Sequence, residues 1–192
     1  MHDTRWDLMT RVLHWGLALT ISAQLLSGLL VSDPQTRAFF YFHEWDGLIA
    51  SVFIGLTWLW VSSVNDLGIL FPWNRAGMQA VRADIRALFH GTLPPGGRSV
   101  GFASFGHGLG LLAVTGMALT GIRIFFIIPG GHGASAASTD FGAFTQESQL
   151  HRTISYFVWA YWIGHIGFAI LHQLKGTPIF RGIFIGTSQK KP

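Results

Sequence analysis

Four stretches of the chain stay free of charge for as long as a bilayer is thick. Val12–Val31 runs 20 residues without Asp, Glu, Lys or Arg, Gly47–Asn65 runs 19, Ser99–Ile122 runs 24 and Thr153–Leu174 runs 22. The hydrocarbon core is ~30 Å deep, so about 20 apolar residues in a helix cross it. A helix also satisfies its own backbone hydrogen bonds, which lipid cannot do. The pattern predicts four transmembrane helices, near 10–31, 38–63, 101–127 and 148–174. The second starts ahead of its uncharged run, because the apolar residues begin at Ala38 and only Glu44 and Asp46 interrupt them. The first run is too long for a signal-peptide core and no small-x-small cleavage site follows it, so it reads as a span. The expected fold is an all-α membrane protein, a four-transmembrane-helix bundle forming one domain over 1–192.

The segments between these runs differ in character. Residues 129–149 are rich in Gly, Ser and Thr and predict a flexible loop. Within 64–100, Met78, Val81, Ile85, Leu88 and Phe89 fall near helical spacing, with Arg82 and Arg86 opposite. That predicts an amphipathic helix near 76–90, lying on the inner leaflet or serving as a solvated connector. Basic residues set the orientation. Arg5, Arg11, Arg75, Arg82, Arg86, Arg98, Lys175, Arg181, Lys190 and Lys191 fall on one side of the four spans. Arg37, Arg123 and Arg152 fall on the other, with Asp33, Asp140 and Glu147. Both termini are therefore expected to be cytoplasmic.

Composition narrows the chemistry. Charged residues make up 11% of the chain, against about 25% in an average soluble domain. The net charge of +4 comes from a small set of groups. It forms no basic surface of the kind that nucleic acid requires, so no nucleic-acid partner is expected. Cysteine is absent, which excludes disulfides, thiolate metal sites, iron–sulfur clusters and covalently attached haem c. Nine histidines are left as the soft-metal and haem-iron ligands present in quantity.

Those histidines recur at matched depths. His14 lies about one turn into the first span from the cytoplasmic side, and His43 near the outer start of the second. His151 is near the outer end of the fourth span, and His165 follows fourteen residues later. Fourteen residues at ~100° each fall about 40° short of four turns, so both share one helix face, ~21 Å apart along the axis. Ionisable groups inside a membrane are expensive and usually functional. Histidines on facing helices of a bundle are the arrangement that holds a haem in the core. Two such pairs stacked across a bilayer would make an electron path. A histidine hydrogen-bonded to a neighbouring helix, and a zinc or copper site, are the competing explanations. His172, seven residues after His165, faces the same way within ~20°, so phase alone does not choose between them. Gly28, fourteen residues after His14, reaches the depth of the outer pair. Gly47, Gly55, Gly106, Gly108, Gly110, Gly116 and Gly121 allow close approach of a helix or a flat macrocycle.

The segments RVLHWGLALTISAQLLSGLLV, HEWDG, SFGHGLGLLAVTGMALTG and LHRTISYFVWAYWIGHIGFAILH resemble the bacterial cytochrome b561 family. They are also similar to the b-type cytochrome subunits of nickel–iron hydrogenases. The resemblance implies a four-helix bundle in the bacterial inner membrane enclosing two bis-histidine haems b, non-covalently bound. It implies His14 and His165 as iron ligands at the inner haem, and His43 and His151 at the outer. It leaves His172 as an extra histidine and places His107 outside the ligand set, facing a quinone or a propionate or simply hydrogen-bonded in its helix. Arg11, Arg123 and Arg152 are candidate partners for the anionic haem propionates, or interfacial arginines. Glu44 and Asp46 beside His43 are candidate proton acceptors for a quinol, or solvated interfacial acids. His2, His90 and His132 are expected in solvated segments.

The function expected on these grounds is transmembrane electron transfer, with electrons exchanged with the quinone pool. Superoxide oxidation enters on family grounds. The alternative is a haem-bearing anchor that docks a soluble redox enzyme or cytochrome. Expected partners are membrane lipid, quinone or quinol, a periplasmic or membrane redox protein, and a second copy of the chain in a homodimer. The additional helix of the hydrogenase-type subunits is not found. The Gly130-Gly131-His132-Gly133 loop neither follows a strand nor opens a phosphate-binding turn, so no nucleotide site is expected.

Overall fold

The computed structural model describes residues 7–31, 36, 38–94, 99–128, 141–177 and 179–185. His2, Arg5, Asp33, Arg37, Arg98, Asp140, Lys190, Lys191 and the 129–140 part of the predicted loop, with its Gly130–Gly133 turn, lie outside the described residues. Seven helices are formed among the described residues: α1 (Leu8–Gly28), α2 (Ala38–Ser63), α3 (Leu67–Leu70), α4 (Arg75–Phe89), α5 (Phe102–Ile127), α6 (Phe141–Leu174) and α7 (Ile179–Ile185). No strand occurs among the described residues.

Three of these helices, α2, α5 and α6, are long and apolar enough to cross a membrane. Leu59, Leu119 and Ile163 on them are each at least 60% exposed, apolar surface that suits lipid contact. The first predicted span is present as the 21-residue helix α1, which is more polar than α2 and α5 and is not among the three. Much of that polarity is turned inward on its own backbone. Thr20 Oγ1 donates to Gly16 O at 2.8 Å, Ser22 Oγ to Ala18 O at 2.6 Å and Ser27 Oγ to Ala23 O at 2.7 Å. A hydroxyl bonded this way presents little unsatisfied polarity to its surroundings.

The fourth helix corrects one expectation. The flexible loop predicted through residue 149 gives way to helix at Phe141, so α6 spans 34 residues. Its first turns read FGAFTQESQL, without proline and with good helix formers at Ala143, Gln146, Glu147 and Leu150. An ion pair from Glu147 to Arg123 of α5, at 2.9 Å, ties this extension down.

The chain packs as two compact units, and each of the four long helices contributes to both. The first comprises Met1–His14, Thr57–Gly110 and Tyr161–Pro192. Asp7 caps α1, its carboxylate accepting from Thr10 N at 2.8 Å and from Thr10 Oγ1 at 2.7 Å. The Trp60 indole donates to the same Thr10 hydroxyl at 2.9 Å, which fastens the end of α2 to the start of α1. Asn74 caps α4 by accepting from Gly77 N at 2.7 Å. On α4, Val81 is buried while Arg82 and Arg86 are exposed, as the periodicity predicts; Phe89, grouped there with the apolar face, is 87% exposed. Gly91, at φ 77°, takes the left-handed conformation that closes this helix. Asp84 of α4 accepts from Phe102 N at 2.8 Å and so caps α5. α3 lies against α5 at Gly108, where a Cβ would meet the Leu70 carbonyl oxygen.

The second unit comprises Trp15–Leu56 and Leu111–Ala160. Its core holds Leu25, Ala50, Ile54, Leu111, Val114 and Val158. Gly16 admits the Phe53 ring against the backbone of α1, and Gly116 admits Ile154, whose Cδ1 lies 3.3 Å from where a Cβ would stand. Small residues thus set the helix separations, as in membrane bundles generally.

Candidate metal centres

Each unit brings two histidine rings together. In the first, the rings of His14 on α1 and His165 on α6 have centroids 6.1 Å apart, inclined at 51°. In the second, His43 on α2 and His151 on α6 have centroids 6.4 Å apart, inclined at 84°. A metal–imidazole nitrogen bond is about 2.0–2.1 Å, and the ring centre lies ~1.1 Å behind that nitrogen, so two axial imidazoles on one iron stand about 6.2–6.4 Å apart. The His43–His151 separation falls in that range, and the His14–His165 separation of 6.1 Å lies just below it. Among the described residues no cluster of three or more His, Cys, Asp or Glu is formed. Two protein ligands are what an iron already held by a porphyrin takes.

The second unit supplies each ring with a hydroxyl. Ser27 Oγ lies 2.9 Å from His43 Nδ1, and Thr120 Oγ1 lies 2.7 Å from His151 Nδ1. The residue after each hydroxyl is a glycine. A Cβ on Gly28 would stand 3.4 Å from His43 Cε1, and a Cβ on Gly121 would stand 3.4 Å from His151 Cε1. Any longer side chain there would compete with the ring for space. The Gln24 amide donates to His43 O at 2.7 Å and to Asp46 Oδ2 at 2.9 Å, so Asp46 is tied to the backbone that carries His43. Glu44 is half-buried on the same helix.

In the first unit the supports are aromatic. The Tyr161 ring stacks on His165 at 5.5 Å and 27°, and His107 meets His165 edge-on at 4.9 Å and 88°. His107 Nδ1 donates to Ala103 O at 2.6 Å, a bond within its own helix. Gly110 makes room for Tyr161, since a Cβ there would collide with the phenol ring. His172 stands apart from the pair: Nδ1 lies 2.8 Å from Phe168 O and Nε2 lies 2.9 Å from Pro94 O. A backbone carbonyl thus stands within hydrogen-bond distance of each of its ring nitrogens.

The arginines differ among themselves. Arg11 Nη1 donates to Phe184 O at 3.2 Å, while its Nε is buried without a partner and is suited to an anion. Arg123 is paired with Glu147, and Arg152 Nε donates to Tyr156 Oη at 3.3 Å on its own helix. Periodicity and depth along the chain do not single out Ser27, Gln24, Thr120 and Tyr161. One signal for two of them does exist there, the repeated Leu-hydroxyl-Gly step at Leu26-Ser27-Gly28 and Leu119-Thr120-Gly121.

Residues 5–186 match the family model of prokaryotic cytochrome b561. The chain belongs to the prokaryotic cytochrome b561 family. It is accordingly a membrane protein of a family that carries electrons on haem b. No curated protein and no solved structure matches the chain. Within this cytochrome b561 framework the two imidazole pairs are suited to haem iron.

Proposed function

We propose that the chain carries electrons across the bacterial cytoplasmic membrane on two haems b and exchanges them with the quinone pool. The observation that carries this reading is the pair of imidazole separations, 6.1 and 6.4 Å, each the size of a bis-imidazole iron site. His14 and His165 are the axial ligands of one haem and His43 and His151 those of the other. A haem bound there supplies a one-electron ferric–ferrous couple. With both axial positions closed by histidine, the site favours electron transfer over oxygen binding. Arg11 offers its buried Nε to a propionate of the haem at His14. α1 is the fourth span, its hydroxyls satisfied on its own carbonyls, and both termini face the cytoplasm under the Lys and Arg bias.

Purification of the chain followed by a visible spectrum and pyridine haemochrome quantitation tests this reading. The expected result is two haems b per chain, fully extractable by acid–acetone and reducible by a quinol. One haem per chain, or haem that resists extraction, overturns it.

A further inference from the structure

The hydroxyls of Ser27 and Thr120 stand in the same relation to two different histidines on two different helix pairs. Ser27 Oγ lies 2.7 Å from Ala23 O and 3.3 Å from Gln24 O. Thr120 Oγ1 lies 2.9 Å from Gly116 O and 3.1 Å from Met117 O. A hydroxyl has one proton to donate, and in each case a backbone carbonyl one turn earlier receives it. What the hydroxyl presents to the imidazole is therefore a lone pair. With that proton on the carbonyl, the contacts at 2.9 Å to His43 Nδ1 and 2.7 Å to His151 Nδ1 run from the ring N–H to the hydroxyl oxygen. A hydroxyl already donating is also a stronger acceptor, because chained hydrogen bonds polarise one another.

From this geometry we infer that Ser27 and Thr120 are positioning residues that hold His43 and His151 as Nδ1–H tautomers with Nε2 bare, and that they lower the potential of the haem bound there. The inference rests on the proposed ligation by His43 and His151. An Nδ1–H drawn toward an oxygen pushes electron density to Nε2 and makes the ring a more basic ligand. More donation favours ferric over ferrous iron, so reduction becomes harder. The arrangement is built twice, once from α1 to α2 and once from α5 to α6. Each time the hydroxyl stands beside a glycine whose missing Cβ leaves 3.4 Å of clearance at the ring's Cε1 edge. The Ser27 and Thr120 contacts involve His43 and His151, so the haem at His14 and His165 serves as a control inside the same molecule.

The test is a potentiometric titration of the full-length cytochrome carrying Thr120→Val, which keeps the shape, Ser27→Ala, or both. The expected result is two haems per chain, an upward shift in one of the two midpoint potentials, and no change in the other. The double variant shifts further than either single one, and Thr120→Ser and Ser27→Thr, which keep the hydroxyl, leave both potentials in place. No shift or a downward shift in the double variant with both haems retained overturns the inference. If Thr120→Val and Ser27→Ala shed one haem while Thr120→Ser and Ser27→Thr keep it, the positioning role stands. Loss from all four variants overturns it. His43→Ala and His151→Ala test the underlying reading separately. Retention of two haems in both would refute the ligand assignment itself, whatever the hydroxyl variants do.

Discussion

A single methyl group at Gly110 should loosen the haem proposed at His14 and His165 and leave the one proposed at His43 and His151 alone. The Cβ of Gly110→Ala would stand 2.5 Å from Tyr161 Cε2 and 2.6 Å from Tyr161 Cε1, and would collide with Cζ between them. Non-bonded carbons rest at about 3.5–4.0 Å, so the phenol ring has to recede by about 1 Å. That ring is the one stacked on His165 at 5.5 Å. Its withdrawal removes the stacking contact on one imidazole of the pair. Overpacking of this kind costs about 1–3 kcal/mol. Placed wholly on haem retention, at about 1.4 kcal/mol per factor of ten, this is roughly a 5- to 150-fold faster loss of that haem. Haem transfer from the purified cytochrome to excess apomyoglobin reads the two sites as two phases. Only the phase that remains in His43→Ala should accelerate. Gly106→Ala, one turn earlier on α5 with nothing within 4 Å of its added Cβ, is the matched control. Unchanged phases in Gly110→Ala, or equal acceleration in Gly106→Ala, would refute the packing argument.

Other substitutions probe the remaining links. His165→Ala should remove one haem, whereas His172→Ala should retain both, because the His172 ring serves the carbonyls of Phe168 and Pro94; loss of a haem from His172→Ala would reopen the assignment. Asn74→Ala should destabilise the start of α4 by about 1 kcal/mol through loss of its N-cap. Amide exchange at Gly77, the group that donates to Asn74, should quicken by roughly fivefold, and no change would mean that the cap is replaced by water. Combined Glu44→Gln and Asp46→Asn should slow quinol-driven reduction with haem content unchanged; unaltered kinetics would move proton release away from α2.

Much of the architecture is legible along the chain because a bilayer allows few solutions. Apolar runs of the required length locate α2, α5 and α6, the same pattern finds α1 as a helix, and apolar periodicity in a charged segment finds α4. Matched depth on α6 singles out His151 and His165, because one continuous helix carries both and 3.6-residue periodicity relates them. The limits of such reading are equally physical. His165 and His172 have nearly the same phase on one helix. What separates them is Pro94, 78 residues away, whose carbonyl occupies the His172 ring. Ser27, Thr120 and Tyr161 have the composition of ordinary membrane-helix residues, and their partners lie on other helices. The helical start of α6 is obscured in the sequence because its Gly, Ser and Thr neighbours lower local propensity, while the Arg123–Glu147 ion pair that secures it forms only between helices. Length, periodicity and charge act within one segment, so they place the helices and tell which histidines share a depth. Ring partners and hydrogen-bond geometry depend on side chains far apart in the chain, so it takes the packed helices to bring each imidazole to its neighbour and to the groups that hold it.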